Sequence, residues 1–243
     1  MKTITFLILI LMILKVKLSI SDDWNCKLPK QEAIILFKEK YNLNPYPFFE
    51  NDPYLNETEA SMKVINQTLN DKKLVCAIQY QDQYRVNYIL KNFADNQTAI
   101  DNGFIVTHQG RCGACSSLND LAVYLSGDLT RPTRKCGMIG AFSISKAKEC
   151  LMNIGFSEQC TQIWLYNTIN TRKNCFSVCI IAWILNEPFT KPDGSLNDCL
   201  QCDEDKSGPV FKYFSGRTRR NSGIKSEIDR PTDEIYNVTH CYY

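Results

Sequence analysis

Apolar residues along the chain fall first at helical spacing, then at alternating spacing, then at helical spacing again. Residues 30–41 place Ile34, Phe37 and Tyr41 on one face behind Pro29 and predict a helix. Residues 44–55, NPYPFFENDPYL, hold three prolines and predict irregular backbone. A second helix is expected over 58–70, with Met62, Ile65 and Leu69 aligned. The period then changes. LVCAIQY and QYRVNYIL, on either side of Gln81-Asp82, predict a hairpin over 74–90. Residues 95–103 read as a loop and 104–107 as a short strand. Leu118, Leu121, Ala122 and Leu125 fall at i, i+3, i+4 and i+7, a helical stripe that Gly127 ends. Residues 145–154 predict a helix stopped by Gly155. Residues 157–186 predict one long helix or two pieces, ending before Pro188. Residues 188–209 look turn-rich. Residues 210–214 and 235–242 read as strands separated by the basic loop GRTRRNSG. The expected class is α+β: a helical middle with strands before and after it.

The N-terminus departs from this pattern. Lys2, an apolar run over 4–14, and small residues Ser19 and Ser21 have the layout of a secretory signal peptide. The run is shorter than the roughly 20 apolar residues that span a bilayer. The expected division is a signal peptide over 1–21 and one secreted domain over 22–243, with no membrane span once the signal is removed. The apolar stretch 179–185 is too short for a second span and reads as a buried helix segment.

Export changes the meaning of the composition. The twelve cysteines become a disulfide framework, because the compartment is oxidising. N-x-S/T sequons at Asn56, Asn66, Asn96 and Asn237 become potential glycan sites. With the three lysines of the signal segment set aside, 25 basic residues face 26 acidic ones. A near-neutral domain argues against nucleic acid as a partner. The expected location is extracellular, or the lumen of the secretory-lysosomal pathway.

The densest chemistry lies in Gln109-Gly110-Arg111-Cys112-Gly113-Ala114-Cys115, directly ahead of a predicted helix. A thiolate there would be stabilised by the helix N-terminus, and backbone N–H groups beside it can hold an oxyanion. The segment resembles the nucleophile motif of papain-like cysteine peptidases. That resemblance spans about a dozen residues and implies Cys115 as nucleophile, Gln109 as oxyanion donor and Cys112 as a disulfide half. It implies a downstream histidine as base and an asparagine to orient it. His240 lies 125 residues after Cys115, close to the ~130–150 of that family, and Asn221 is the asparagine candidate. A rearranged papain-like fold would carry His240 on a C-terminal strand. Ser116 stands where the family has an aromatic residue. The other reading is that Cys112 and Cys115 are both disulfide-bonded. His108, seven residues before Cys115, reads as a turn or surface residue.

Other residue groups along the chain also have two readings. The C-x-x-C pairs at 112/115 and 199/202, and C-x3-C at 175/179, have zinc-like spacing, but export favours disulfides and no metal or other cofactor is expected. Cys175 and Cys179 stand one helical turn apart, so each should pair elsewhere. Asp203-Glu-Asp-Lys-Ser-Gly208 matches the first half of a calcium loop but lacks the acidic twelfth position, which is Phe214; an acidic turn is the simpler reading. Arg217, Arg219, Arg220 and Lys225 are expected to pair with that turn. Trp164 and Trp183 are expected in the core. Two functions fit. One is a secreted papain-like cysteine hydrolase acting on a peptide or protein substrate through Cys115, His240, Gln109 and Asn221. The other is a non-enzymatic cysteine-rich glycoprotein: an extracellular signal of pheromone type with an unknown receptor, a recognition protein or a coat component.

Overall fold

The computed structural model describes residues 30–40, 43–226, 228 and 231–240. The expected signal peptide with its boundary at residue 21, Cys26, Tyr41 and Cys241 lie outside the described residues. The fold is α+β and disulfide-rich. Helix α1 (Lys30–Lys40) and helix α2 (Glu59–Asn70) flank an irregular segment with one 3-10 turn at Pro53–Asn56. Thr58 and Ser61 form a reciprocal cap at the start of α2. Strands β1 (Val75–Tyr80), β2 (Tyr88–Phe93) and β3 (Ile105–Gln109) make one antiparallel sheet in the order β2-β1-β3. The register pairs Val75 with Phe93 and with Gln109, and a bulge interrupts β1–β3 between Cys76 and Ala77.

Alternation along β1 gives the sheet two buried faces. Ile78 packs with Ile34 and Phe37 of α1 and with Leu118, Leu121 and Ala122 of helix α4 (Leu118–Ser126). Val75 and Ala77 face the other way, onto Phe93, Ala99 and Phe104. Ala99 belongs to a short helix α3 (Asn96–Asp101), where a loop was expected; the Asp95 side chain caps it by accepting from Thr98 N–H.

The remainder is helical: α5 (Thr130–Gly140), α6 (Ile144–Ile154), α7 (Glu158–Ile184), α8 (Asp198–Lys206) and α9 (Gly208–Ser215). Gly155 ends α6 in the left-handed region at φ 108°. The 157–186 pattern is one continuous helix. Two expectations fail beyond it. The apolar run 210–214 is helical, because Pro209 at the first turn favours a helix start and a five-residue run carries no period of its own. Residues 235–240 form no strand among the described residues. Strand material therefore precedes the helical part and does not follow it.

Five disulfides tie these elements. Cys136–Cys150 joins α5 to α6. Cys175 and Cys179 do pair elsewhere: Cys175–Cys202 and Cys179–Cys199 lock α8 antiparallel against α7. Among the described residues no cysteine is free. No described helix is long and apolar enough to cross a membrane. Trp164 joins the core beside Phe156 and Ile163, whereas Trp183 is 53% exposed near the end of α7. The stretch 179–185 is not buried as a whole, since Ile181, Ile184 and Leu185 are exposed as well.

Candidate functional site

The turn at 109–117 is built by close backbone approach. A Cβ on Gly113 would lie 2.4 Å from Phe214 O and 2.5 Å from Gly216 N, so only glycine fits there. The chain thereby docks against the end of α9. Ala114 N–H donates to Phe214 O at 2.9 Å and Cys115 N–H to Ser215 O at 2.8 Å. Ser117 caps α4, and Leu118 N–H donates to the Tyr88 hydroxyl at 2.9 Å. The donors a thiolate or oxyanion would use are thus engaged by the protein itself.

The sulfur is engaged too. Cys115 is bonded to Cys160 of α7 and has no exposed surface. The assignment of Cys115 as nucleophile is therefore corrected: a disulfide sulfur in the core has neither the thiolate nor the access that attack requires. Cys112 is a disulfide half, as the resemblance implied, and its partner is Cys76 on β1.

Gln109, Asn221 and His240 are brought near the turn, but as scaffold. Asn221 does not orient His240; its Nδ2 donates to Gln109 O at 2.8 Å and to Gly216 O at 2.7 Å. The His240 Nε2–H donates to Ser222 O at 2.7 Å. Burial, with the nearby Arg217 charge adding to it, holds the His240 pKa down at about 4. The Gln109 Oε1 is buried with no hydrogen-bond partner, and with Cys115 held in a disulfide there is no oxyanion for the Gln109 amide to serve.

The organising residue is Arg217, whose side chain is fully buried. Its guanidinium donates to Cys115 O, Thr107 O and Ser116 O, each at 3.1 Å, to Ser222 Oγ at 3.0 Å, and to Thr107 Oγ1. Five acceptors from three chain segments converge on one planar fork. Sequence reasoning assigned Arg217 to the 203–208 acids and did not foresee this cage of carbonyl and hydroxyl acceptors. Arg220 pairs with Glu234, and Arg219 donates to Lys225 O.

A hydroxyl–imidazole pair lies beside this cage. His108 Nδ1–H donates to Gln109 O at 2.8 Å, so Nε2 accepts from Ser116 Oγ at 2.7 Å. Burial lowers the His108 pKa well below the ordinary range, which keeps the ring neutral. The geometry resembles an activated serine, but both side chains have zero exposure. The pair holds the turn instead: Ser116 Oγ also accepts from Gly113 N–H at 2.8 Å. His108 is a core residue, not the turn or surface residue expected. Asp120 is a second buried polar centre, accepting from Ser117, Ser157 and Asn44 side chains and from Ser157 N–H. Burial raises its pKa to about 6 against those hydrogen bonds.

A separate concavity lies among the helices. A groove of about 320 Å³ opens between α5, α7, α8 and α9. Its walls include Leu129, Met138, Trp164, Ile180, Leu200 and Phe211, and Trp164 meets Phe211 edge-on at 4.6 Å. Cys179–Cys199 is part of the lining. Residues 144–238 match a family of unknown function, DUF8771. No curated protein and no solved structure matches the chain. The matched segment carries α6 to α9 and Arg217, and so most of the groove. The 109–115 turn and His240 lie outside it.

The acidic stretch 203–208 is helical rather than a calcium loop or turn. Asp203 is turned inward to accept from Thr171 and Asn167, and burial raises its pKa. Among the described residues no group of three or more His, Cys, Asp or Glu is placed to hold a metal.

Proposed function

We propose that the protein is an exported, disulfide-locked glycoprotein that acts by binding, as an extracellular recognition or signalling protein, and not as a cysteine hydrolase. The observation that carries this is the Cys115–Cys160 bond at zero exposure. It removes the one sulfur whose chemistry favoured catalysis. Five disulfides suit an oxidising compartment. The asparagines of all four sequons, Asn56, Asn66, Asn96 and Asn237, are exposed, as glycan attachment requires. A groove with covalently tied walls is a preformed binding surface.

The test is secretion of the full chain from a eukaryotic host. The expected product appears in the medium, loses mass when N-glycans are removed, and neither takes up a thiol-directed label nor cleaves a panel of acylated peptide amides. Peptide cleavage that disappears in Cys115→Ala would overturn the proposal.

A further inference from the structure

The last turns of α7 and its C-cap, residues 175–185, carry no charged side chain. One side of them is covered. Cys175, Cys179 and Ala182 recur at i, i+4 and i+7, and two disulfides draw that side onto α8. The rest is open: Phe176, Ile181, Trp183, Ile184 and Leu185 are each between 53% and 67% exposed. A helix that is apolar all round belongs in an interior, yet this one is half open to solvent. Five large side chains at that exposure leave roughly 500 Å² of apolar surface, at the upper end of what a lone soluble chain shows. The face is backed by two covalent ties. No N-x-S/T sequon falls in α7 or α8, so no glycan attaches within it.

We propose that this face is a two-fold interface between two copies of the chain, with the end of α7 packed antiparallel on the same helix of the partner. Two such faces bury roughly 1,000 Å² of apolar surface before any rim is counted, the size from which specific interfaces begin. Depletion of charge at the centre marks an interface core, and here self-association brings no like charges of residues 175–185 together. Ile180 lies midway along the face. A two-fold register centred on it sets Phe176 against the partner's Ile184, and Trp183 against the small Ser177 of the partner subunit. Helix α8 carries Asp198, Asp203, Glu204 and Asp205 against one cation, Lys206. It sits behind α7, on the cysteine side, so the pairing keeps both acidic helices on the outside. The same acidic helix disfavours an anionic lipid surface, and residues 175–185 lack the Lys- and Arg-rich face of a membrane-surface helix. The interface does not depend on whether the protein binds or catalyses.

The experiment is sedimentation velocity on the secreted full chain, disulfides intact and N-glycans trimmed, from about 1 to about 100 µM. A dimer is expected at the upper end. Ile184→Glu puts a charge on the face of each copy and should weaken the dimer roughly hundredfold or more. Ile181→Gln repeats the test without a charge and should also weaken it. Phe142→Glu, at an exposed turn outside the face, should leave the dimer unchanged. Circular dichroism and the urea midpoint check that each variant folds, and the two substitutions in the face guard against one that does not. A monomer throughout the range overturns the proposal without recourse to a variant; flotation with phosphatidylserine vesicles then shows whether a membrane takes the face instead. A dimer indifferent to both substitutions in the face lies elsewhere on the molecule and overturns the proposal as well. Neither result touches the Cys115–Cys160 bond, so the non-enzymatic reading is tested separately.

Discussion

Replacing Arg217 by methionine isolates what holds the turn in place. Methionine keeps much of the apolar stem and removes the guanidinium. Five hydrogen bonds are lost, and the carbonyls of Thr107, Cys115 and Ser116 lose a charged donor inside the core. Each stranded acceptor costs about 1–3 kcal/mol, while removing a buried charge returns part of its desolvation. The net expected loss is about 3–5 kcal/mol, a large fraction of the roughly 5–15 kcal/mol that holds a domain folded. Urea unfolding with disulfides intact, followed by tryptophan fluorescence and far-ultraviolet circular dichroism, measures it. With a slope of about 2 kcal/mol/M the midpoint should fall by about 2 M. Arg217→Lys should recover less than half, because a point ammonium with three donors cannot span five acceptors. A methionine variant within about 1 kcal/mol of the parent, or full rescue by lysine, would refute the reasoning.

Other perturbations follow from the same geometry. Removing both Cys115 and Cys160 as alanines opens a loop of sequence separation 45; chain entropy assigns it about 4 kcal/mol, readable as a lower unfolding midpoint. Gly113→Ala should prevent secretion of folded protein, since its Cβ would meet three backbone atoms of 214–216 at 2.4–2.5 Å; normal yield with an unchanged spectrum would contradict that. His240 has a folded pKa of about 4 against an ordinary 6.5, so the unfolded state binds more protons between those values. Its stability is complete above pH 6.5 and is lost as pH falls toward 4, by up to about 3 kcal/mol. His240→Gln keeps a donor for Ser222 O, and it should show a smaller loss between pH 7 and pH 4.5. An unchanged pH profile would remove His240 from the account.

Elements with strong local signals were legible in the sequence, and those set by tertiary contact were not. The α4 stripe, the Met62, Ile65 and Leu69 stripe of α2 and the hairpin each carry their own period. Helix α5 contains Pro132, Gly137 and Gly140, and its N-cap Leu129 makes no side-chain cap bond. Nothing local announces it; its covalent tie to α6 and packing on α7 do. Residues 210–214 show the opposite error, a β-rich run made helical by Pro209. At the candidate site, the close turn and its cysteines were readable, because glycine and cysteine spacing are local. The partner of Cys115 is 45 residues away, and cysteine spacing alone cannot choose among pairings. Arg217 was misread because sequence proximity to acids suggested ion pairing. Three-dimensional proximity brings it the carbonyls of Thr107, Cys115 and Ser116 from distant parts of the chain.

Cys115 is a structural half-cystine bonded to Cys160. The direct measurement is alkylation of the secreted protein in denaturant without reductant, followed by proteolysis and mass mapping. A peptide pair cross-linked through Cys115 and Cys160, which separates only on reduction, is the predicted result. An alkylated Cys115 in folded, full-yield material would contradict the account.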